Sequence, residues 1–208
     1  MTAKMPRTGV QRPRHSTQRG QSLVEFAISS IVLLLLMMGL LDLSRAFYYA
    51  VNIQGAAREG ARHGAWFDTR SRVNIYMDDS DIMAGVTPGL LGSGITCTGV
   101  NGINCFVPGS CLPGADGNTI NNKPYSAVYY PATTQHVNVY ICYTQPPSMG
   151  SAQLGTLAVH PTDNSWRLGD INVSVLMNFG LITPFIQNLF GNGINMAFNE
   201  HFTIQGKP

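Results

Sequence analysis

One carboxylate, that of Glu25, lies just inside the start of a long apolar run that ends at Leu41. On insertion scales an acidic side chain at the centre of a membrane helix costs about 2.5–3.5 kcal/mol, and less near the ends. A glutamate at this position is therefore better explained by a functional role than by chance. Gly20 lies five residues earlier, at the end of a basic segment without acidic residues. This layout predicts a site at which an amino-terminal leader is recognised and processed.

The charge of the chain is segregated, which the net charge of +2 conceals. The segment before Gly20 contains no Asp or Glu, and its basic residues are Lys4, Arg7, Arg12, Arg14 and Arg19. The remaining sequence holds eight Lys or Arg and eleven Asp or Glu, so without the leader the protein is mildly acidic. Nucleic-acid binding requires a basic patch on a folded domain, and the sequence predicts no nucleic-acid partner.

The apolar run from Leu23 to Leu41 has the length of a membrane span. As a helix it extends about 28 Å, close to the roughly 30 Å of a hydrocarbon core. The basic leader predicts a cytoplasmic amino end, so the bulk of the chain is expected outside the membrane. An ordinary secretory leader is the alternative, but its apolar core is shorter and ends in small residues. We therefore expect a single-pass protein of the bacterial cytoplasmic membrane, in contact with the lipid bilayer.

The helix is predicted to continue beyond the membrane, from Asp42 to Trp66. This stretch contains no proline, and Asp42 and Arg45 are spaced to form an ion pair on one face. Ala56, Gly60 and Gly64 recur every four residues and form a small-residue stripe that permits close approach of another element. Either the external domain lies on this stripe or neighbouring subunits do. We favour the external domain.

Three parts are predicted: a cytoplasmic leader over residues 1–20, a helix over 21–66 and an α+β domain over 67–208. A second short helix is expected between residues 69 and 85. Alternating apolar residues indicate strands at 136–143, 171–178 and 194–204, with a weaker candidate at 154–160 and a short helix over 181–190. An antiparallel sheet packed on the long helix is the expected fold.

Residues 88–125 are rich in Gly, Pro and Asn and read as a long loop. The chain has four cysteines, all on the predicted external side: Cys97, Cys105, Cys111 and Cys142. In an oxidising compartment they suggest two disulfides, with three possible connectivities. Free buried thiols are the alternative. The spacings include no C-x-x-C pair, so we expect no zinc site.

The sequence contains no constellation typical of catalysis or of cofactor binding. Metalloprotease, hydrolase, nucleotide and dinucleotide motifs are all missing. Asp78, Asp79 and Asp81 invite a calcium hypothesis, but the spacing of a calcium loop is lacking, and a solvated turn explains them better. We expect neither an enzyme nor a resident cofactor or metal.

The amino-terminal third resembles a known family in several consecutive motifs. These are Gly20-Gln-Ser-Leu-Val-Glu25-Phe26, the aliphatic run, Gly39-Leu-Leu-Asp42-Leu-Ser-Arg45, and Ala56-Ala-Arg-Glu-Gly60-Ala-Arg62. Together they resemble the TadE-like proteins, which are minor pilin-like components of tight-adherence (Flp) pilus systems. A weaker resemblance to the closing strands of that family covers residues 173–200.

The resemblance implies a pseudopilin that supports assembly of an adhesive pilus. A prepilin peptidase would cut between Gly20 and Gln21, and glycine suits a tight protease cleft. Glu25, followed by Phe26, would then serve assembly by pairing with the amino terminus of an adjacent subunit. The implied partners are the peptidase, other pilin-like subunits and the Tad-type secretion machinery. Two alternatives stay open: an uncleaved TadE-like membrane component, and an anchored surface-binding module that uses the loop over 88–125.

Overall fold

The computed structural model describes residues 20–66, 78–97, 105–109, 111–113, 125–157, 161 and 164–205. The leader before Gly20 and much of the predicted loop lie outside these ranges. The chain divides into two compact units, one up to Leu40 and one from Leu41 onward. The division between the two units falls inside the helix that begins at Gln21.

Helices and strands are both present, and the predicted α+β class is confirmed. The helices are α1 (Gln21–Ala65), α2 (Asp79–Gly92) and α3 (Pro184–Phe190). The strands are β1 (Thr96–Cys97), β2 (His136–Thr144), β3 (Gln153–Leu154), β4 (Asp170–Gly180) and β5 (Gly193–Thr203). Single 3₁₀ turns lie at Ala127–Tyr129, Pro147–Met149 and Asn164–Trp166.

The sheet has the order β1-β2-β4-β5, and β3 pairs with the end of β2. Its centre is antiparallel: β2 pairs with β4, and β4 pairs with β5 over eleven residues from Asp170↔Thr203 to Gly180↔Gly193. The short β1 is parallel to β2. The three strongest strand predictions are confirmed to within two residues at each end. The weaker one at 154–160 is wrong for its described part, because the strand there ends at Leu154.

The first unit contains the start of α1, and its apolar side chains are exposed rather than buried. Among the described residues, α1 is the one helix long and apolar enough to cross a membrane, and none of its most apolar stretch is buried. Leu33 is 68% exposed and Leu36 is 68% exposed. Such surface is unfavourable in water, which fits a single-pass membrane protein with a folded domain after the span.

The core of the second unit lies between the later part of α1, α2 and one face of the sheet. Ile53 of α1, Ile82 and Val86 of α2, and Val173 and Val175 of β4 are fully buried there. Side chains on the sheet face and on α2 meet small residues on α1, so the elements come close together.

The small-residue stripe of α1 is the surface on which α2 packs, as predicted. A Cβ atom on Gly64 would lie 2.7 Å from Ile82 Cδ1 and 2.9 Å from Ile171 Cδ1. A Cβ atom on Gly60 would collide with Val86 Cγ2. The two distances from a Cβ atom on Gly64 are shorter than a carbon–carbon contact allows. The stripe therefore contacts the folded domain of the same chain.

The second helix differs from the prediction. Over the described residues it begins at Asp79, with Asp78 as its amino-terminal cap accepting a 2.8 Å hydrogen bond from Ser80 N, and it continues to Gly92. Residues 69–77, which the prediction included, lie outside the described ranges. Pro88 lies inside the helix, so the loop predicted to start at residue 88 begins after Gly92. Tertiary packing against α1 outweighs the cost of a proline within a short helix.

The opposite face of the sheet is also covered. Leu112 and Tyr125 pack on Tyr140 of β2 and Leu176 of β4. A disulfide joins Cys111 to Cys142 of β2 and holds the covering segment in place. Cys105 is also disulfide-bonded, while the side chain of Cys97 lies outside the description.

The two glycines Gly55 and Gly60 in α1 offer a matched test of this packing. A Cβ atom on Gly55 meets nothing within 4 Å, so Gly55→Ala should stabilise the helix by about 0.5–1 kcal/mol. Gly60→Ala should destabilise the protein by about 1–3 kcal/mol, because Val86 must move. The measurement is denaturant unfolding of the full-length protein in detergent micelles, followed by the fluorescence of buried Trp166. Equal effects of the two substitutions would contradict the close helix contact.

Candidate functional site

The residues of the predicted processing site lie at the start of α1. Gly20 directly precedes the helix, is exposed, and its carbonyl accepts a 3.3 Å hydrogen bond from Val24 N. A Cβ atom on Gly20 would meet nothing within 4 Å. Glycine is therefore not required at this position by packing in the described chain. Gln21, the first helical residue, is exposed as well.

Glu25 and Phe26 lie one turn into the same helix. Gln21 Nε2 donates a 3.0 Å hydrogen bond to Glu25 Oε1, the i to i+4 spacing of neighbours on one helix face. The Glu25 side chain is exposed, and Phe26 is 73% exposed. The segment thus presents a carboxylate and an aromatic ring on its surface, next to the peptide bond between Gly20 and Gln21. This arrangement can bind a cation or an ammonium group, and it contains no nucleophile–base pair.

A second acid on α1, Asp42, is buried and fully engaged. It is 4% exposed. Its Oδ1 accepts a 3.1 Å hydrogen bond from Ile182 N, and its Oδ2 accepts a 2.9 Å hydrogen bond from Thr183 N. Two converging backbone donors offset the cost of burying a carboxylate. Asp42 therefore connects α1 to the segment between β4 and α3.

Arg45 completes this contact. Its Nη1 lies 3.3 Å from Asp42 Oδ1, which confirms the ion pair predicted from their spacing. The guanidinium also lies over the ring of Phe179, 5.3 Å from its centroid, and 6.0 Å from that of Tyr49. The cation thus contacts a carboxylate and two aromatic faces. We call Asp42, Arg45, Phe179, Ile182 and Thr183 the exit cluster, since Asp42 directly follows the apolar run.

Two of the three clustered aspartates have structural partners. Asp78 caps α2 through Ser80 N, and Asp79 Oδ1 accepts a short hydrogen bond from the hydroxyl of Tyr143. Burial, followed by the neighbouring Asp79 carboxylate, raises the pKa of the Tyr143 hydroxyl, so it remains a neutral donor. Within the described ranges no three His, Cys, Asp or Glu residues lie close enough to hold a metal ion.

Sequence reasoning predicted the Asp42–Arg45 pair, which the structure confirms, and the processing segment, which stays a prediction. It did not predict the remainder of the exit cluster. Gly20 precedes α1, Gln21 begins it, and Glu25 and Phe26 follow one turn later, so these residues are close because they are near in sequence. The partners of Asp42 are 140 and 141 residues away in sequence. Ile182 and Thr183 bind Asp42 through backbone N–H groups, which every residue except proline has. No residue pattern in the sequence could therefore predict this contact.

Comparison with known proteins supports the resemblance found in the sequence. The family model described as TadE-like protein matches residues 20–62. The match begins at Gly20, includes Glu25, and ends inside α1, so it covers about a fifth of the chain. Comparisons with curated proteins and with solved structures found no match.

Replacing Asp42 tests the exit cluster. Asp42→Asn keeps one acceptor oxygen and substitutes a donor for the other, so one backbone N–H is left without its acceptor and Arg45 loses its counter-ion. We expect a loss of about 1–3 kcal/mol in the free energy of unfolding, measured in detergent micelles as above.

Glu59→Gln is the matched control on the same helix. Glu59 is exposed and pairs with Arg62 at 2.6 Å, so its replacement should change stability by less than about 0.5 kcal/mol. If Asp42→Asn is as stable as Glu59→Gln, the hydrogen bonds of the exit cluster do not hold the fold.

Proposed function

We propose that the protein is a pilin-like subunit that supports assembly of a tight-adherence-type pilus at the bacterial cytoplasmic membrane. The observation that carries the proposal is the match of residues 20–62 to the TadE-like family model, which includes Gly20 and Glu25. In this proposal the protein acts by packing and docking rather than by catalysis. Its partners are a prepilin peptidase, other pilin-like subunits and the Tad-type secretion machinery.

Membrane anchoring supports the proposal. Helix α1 is long and apolar enough to span a bilayer, and the basic residues concentrate before Gly20. By the positive-inside rule the amino end is cytoplasmic and the folded domain is extracytoplasmic. The disulfide between Cys111 and Cys142 is consistent with an oxidising compartment.

The chemistry of assembly in this proposal centres on Glu25. Cleavage after Gly20 converts the nitrogen of Gln21 into an ammonium group. A carboxylate in a low-dielectric environment is stabilised by an opposite charge close by, and the new amino terminus of an adjacent subunit supplies one. The pair offsets the cost of each charge in lipid.

The surface of α1 beyond the apolar run supports subunit packing. Phe47, Tyr48 and Val51 are 64%, 53% and 69% exposed, although they lie on a helix that packs its other side into the domain. Clusters of exposed apolar side chains commonly mark protein or membrane contacts. Neighbouring subunits would bury these side chains along α1.

The mature amino terminus tests the processing step. In cells that contain a prepilin peptidase, mass spectrometry of the membrane-bound protein should find a chain that starts at Gln21. Gly20→Val should leave the leader attached, because it adds a branched side chain next to the scissile bond; packing is not the reason, since the position is open. A wild-type chain that retains residues 1–20 would contradict cleavage and would favour an uncleaved membrane component.

Glu25→Gln tests the assembly step separately. The amide oxygen can still accept the hydrogen bond from Gln21, so α1 and its cleavage should be unaffected while the charge is removed. We expect a processed, membrane-inserted protein and loss of most pilus filaments, counted by electron microscopy. Glu59→Gln, an exposed carboxylate on the same helix, is the control and should assemble normally. Normal filament numbers and normal association with the secretion machinery in Glu25→Gln would refute the role of Glu25.

A further inference from the structure

The connection between β4 and β5 exposes an unusual amount of apolar surface. Ile182, Phe185, Leu189 and Phe190 are 64%, 56%, 65% and 69% exposed. Two antiparallel strands can be joined by a two-residue turn, whereas this connection runs from Leu181 to Asn192 and includes α3. Closing the hairpin therefore does not require it. The exposed side chains need another explanation.

The opposite side of the same connection is firmly attached to the domain. Leu181 is 8% exposed, and Ile186 packs against the core. Gln187 Nε2 donates a 2.6 Å hydrogen bond to the carbonyl of Leu181. Helix α3 therefore has one side fixed to the protein and one apolar side directed outward.

The position of the connection follows from the exit cluster. Asp42 accepts hydrogen bonds from Ile182 N and Thr183 N. Asp42 is also the residue directly after Leu41, the last of the apolar run. The start of the connection is thus held against the residue at which the chain leaves the bilayer.

Charge is distributed along the β4–β5 hairpin in the way a membrane contact requires. No residue from 171 to 199 is charged. At the other end of the hairpin, His201 Nδ1 lies 3.4 Å from Asp170 Oδ2. Eleven-residue strands place this charged end roughly 33 Å from the connection. The end of the hairpin near Asp42 contributes no charged residue of its own. The distant end of the hairpin does.

The backbone of α3 is suited to an environment with little water. Ile186 N and Gln187 N both donate to Thr183 O at 3.0 Å, and Gly191 N donates to Gln187 O at 2.8 Å. Backbone groups that are already hydrogen-bonded carry a smaller cost when they leave water.

From these observations we propose that Ile182 and the outward face of α3 insert into the extracytoplasmic surface of the membrane that holds α1. The contact is shallow: an interfacial helix of this kind buries its apolar face about 5–10 Å into the boundary between headgroups and acyl chains. It gives the folded domain a second attachment to the lipid, which restricts the tilt of the domain relative to the membrane plane. The inference rests on the membrane anchoring in the proposed function.

Quenching of tryptophan fluorescence by brominated lipids tests the contact. The full-length protein is reconstituted into vesicles whose acyl chains carry bromine either near the headgroup or near the chain end. Phe190→Trp and Leu189→Trp place a reporter on the outward face at exposed positions, which leaves the core unchanged. The signal of the native Trp66 and Trp166 is measured on the wild-type protein and subtracted.

Two further variants calibrate the result. Val128→Trp is the control for an exposed apolar position elsewhere in the domain, since Val128 is 78% exposed. Leu34→Trp reports on the apolar run of α1. We expect a blue shift and loss of fluorescence for the two α3 variants, strongest with bromine near the headgroup, and no loss for Val128→Trp. Leu34→Trp should be quenched most by bromine near the chain end.

Each other outcome has a definite meaning. If Leu34→Trp is quenched and both α3 variants are not, α3 does not touch lipid and the inference is wrong, while the anchor stands. A blue shift without quenching at α3 means that another protein chain covers this face, which also overturns the inference. If Leu34→Trp is not quenched, the anchor itself fails, and with it both the proposed function and this inference.

Discussion

The buried carboxylate of Asp42 determines how the folded domain is attached to its helix. Before Asp42, α1 exposes a long apolar run; after it, one side of α1 is buried in the core. A carboxylate at such a boundary is tolerated only when its oxygens are hydrogen-bonded. Ile182 N, Thr183 N and Arg45 supply these bonds. The same bonds hold the β4–β5 connection on α1, so the helix and the central hairpin are fixed to each other at this point.

Glycines play a different part here from the one the sequence suggested. Pro88 and Gly89 were predicted to lie in a loop, because glycine and proline weaken helices, while Gly85 was placed at the end of the predicted second helix. In the structure a Cβ atom on Gly85 would lie 2.9 Å from His63 Cδ2, and one on Gly89 would lie 3.1 Å from Ala56 Cβ. These glycines lie in α2 where it packs against α1, with His63 facing Gly85 and Ala56 facing Gly89. The sequence predicted the α1 side of this contact from its small-residue stripe. On the α2 side, Pro88 and Gly89 were wrongly predicted to lie in a loop.

The alternation of side chains along β4 predicted the strand but not the burial of both faces of the sheet. Val173 and Val175 of β4 face the core, as the period of two predicted, and the strand limits were close to correct. Asn172, Ser174 and Leu176, which alternate with these valines, are buried as well. Leu112 and Tyr125 cover this second face, and the bond from Cys111 to Cys142 fixes the covering segment. The four cysteines allowed three connectivities, and nothing in the sequence indicated which pair would lie over the sheet.

Two acids on α1 thus require different explanations. Asp42 is accounted for by the chain itself, because its charge is satisfied by bonds within the folded domain. Glu25 accepts a hydrogen bond from Gln21, but a glutamine could accept that bond equally well and would cost less in lipid. The described part of the chain therefore explains an oxygen at position 25 and not a negative charge. In the proposed function, this charge serves a positively charged partner from another molecule.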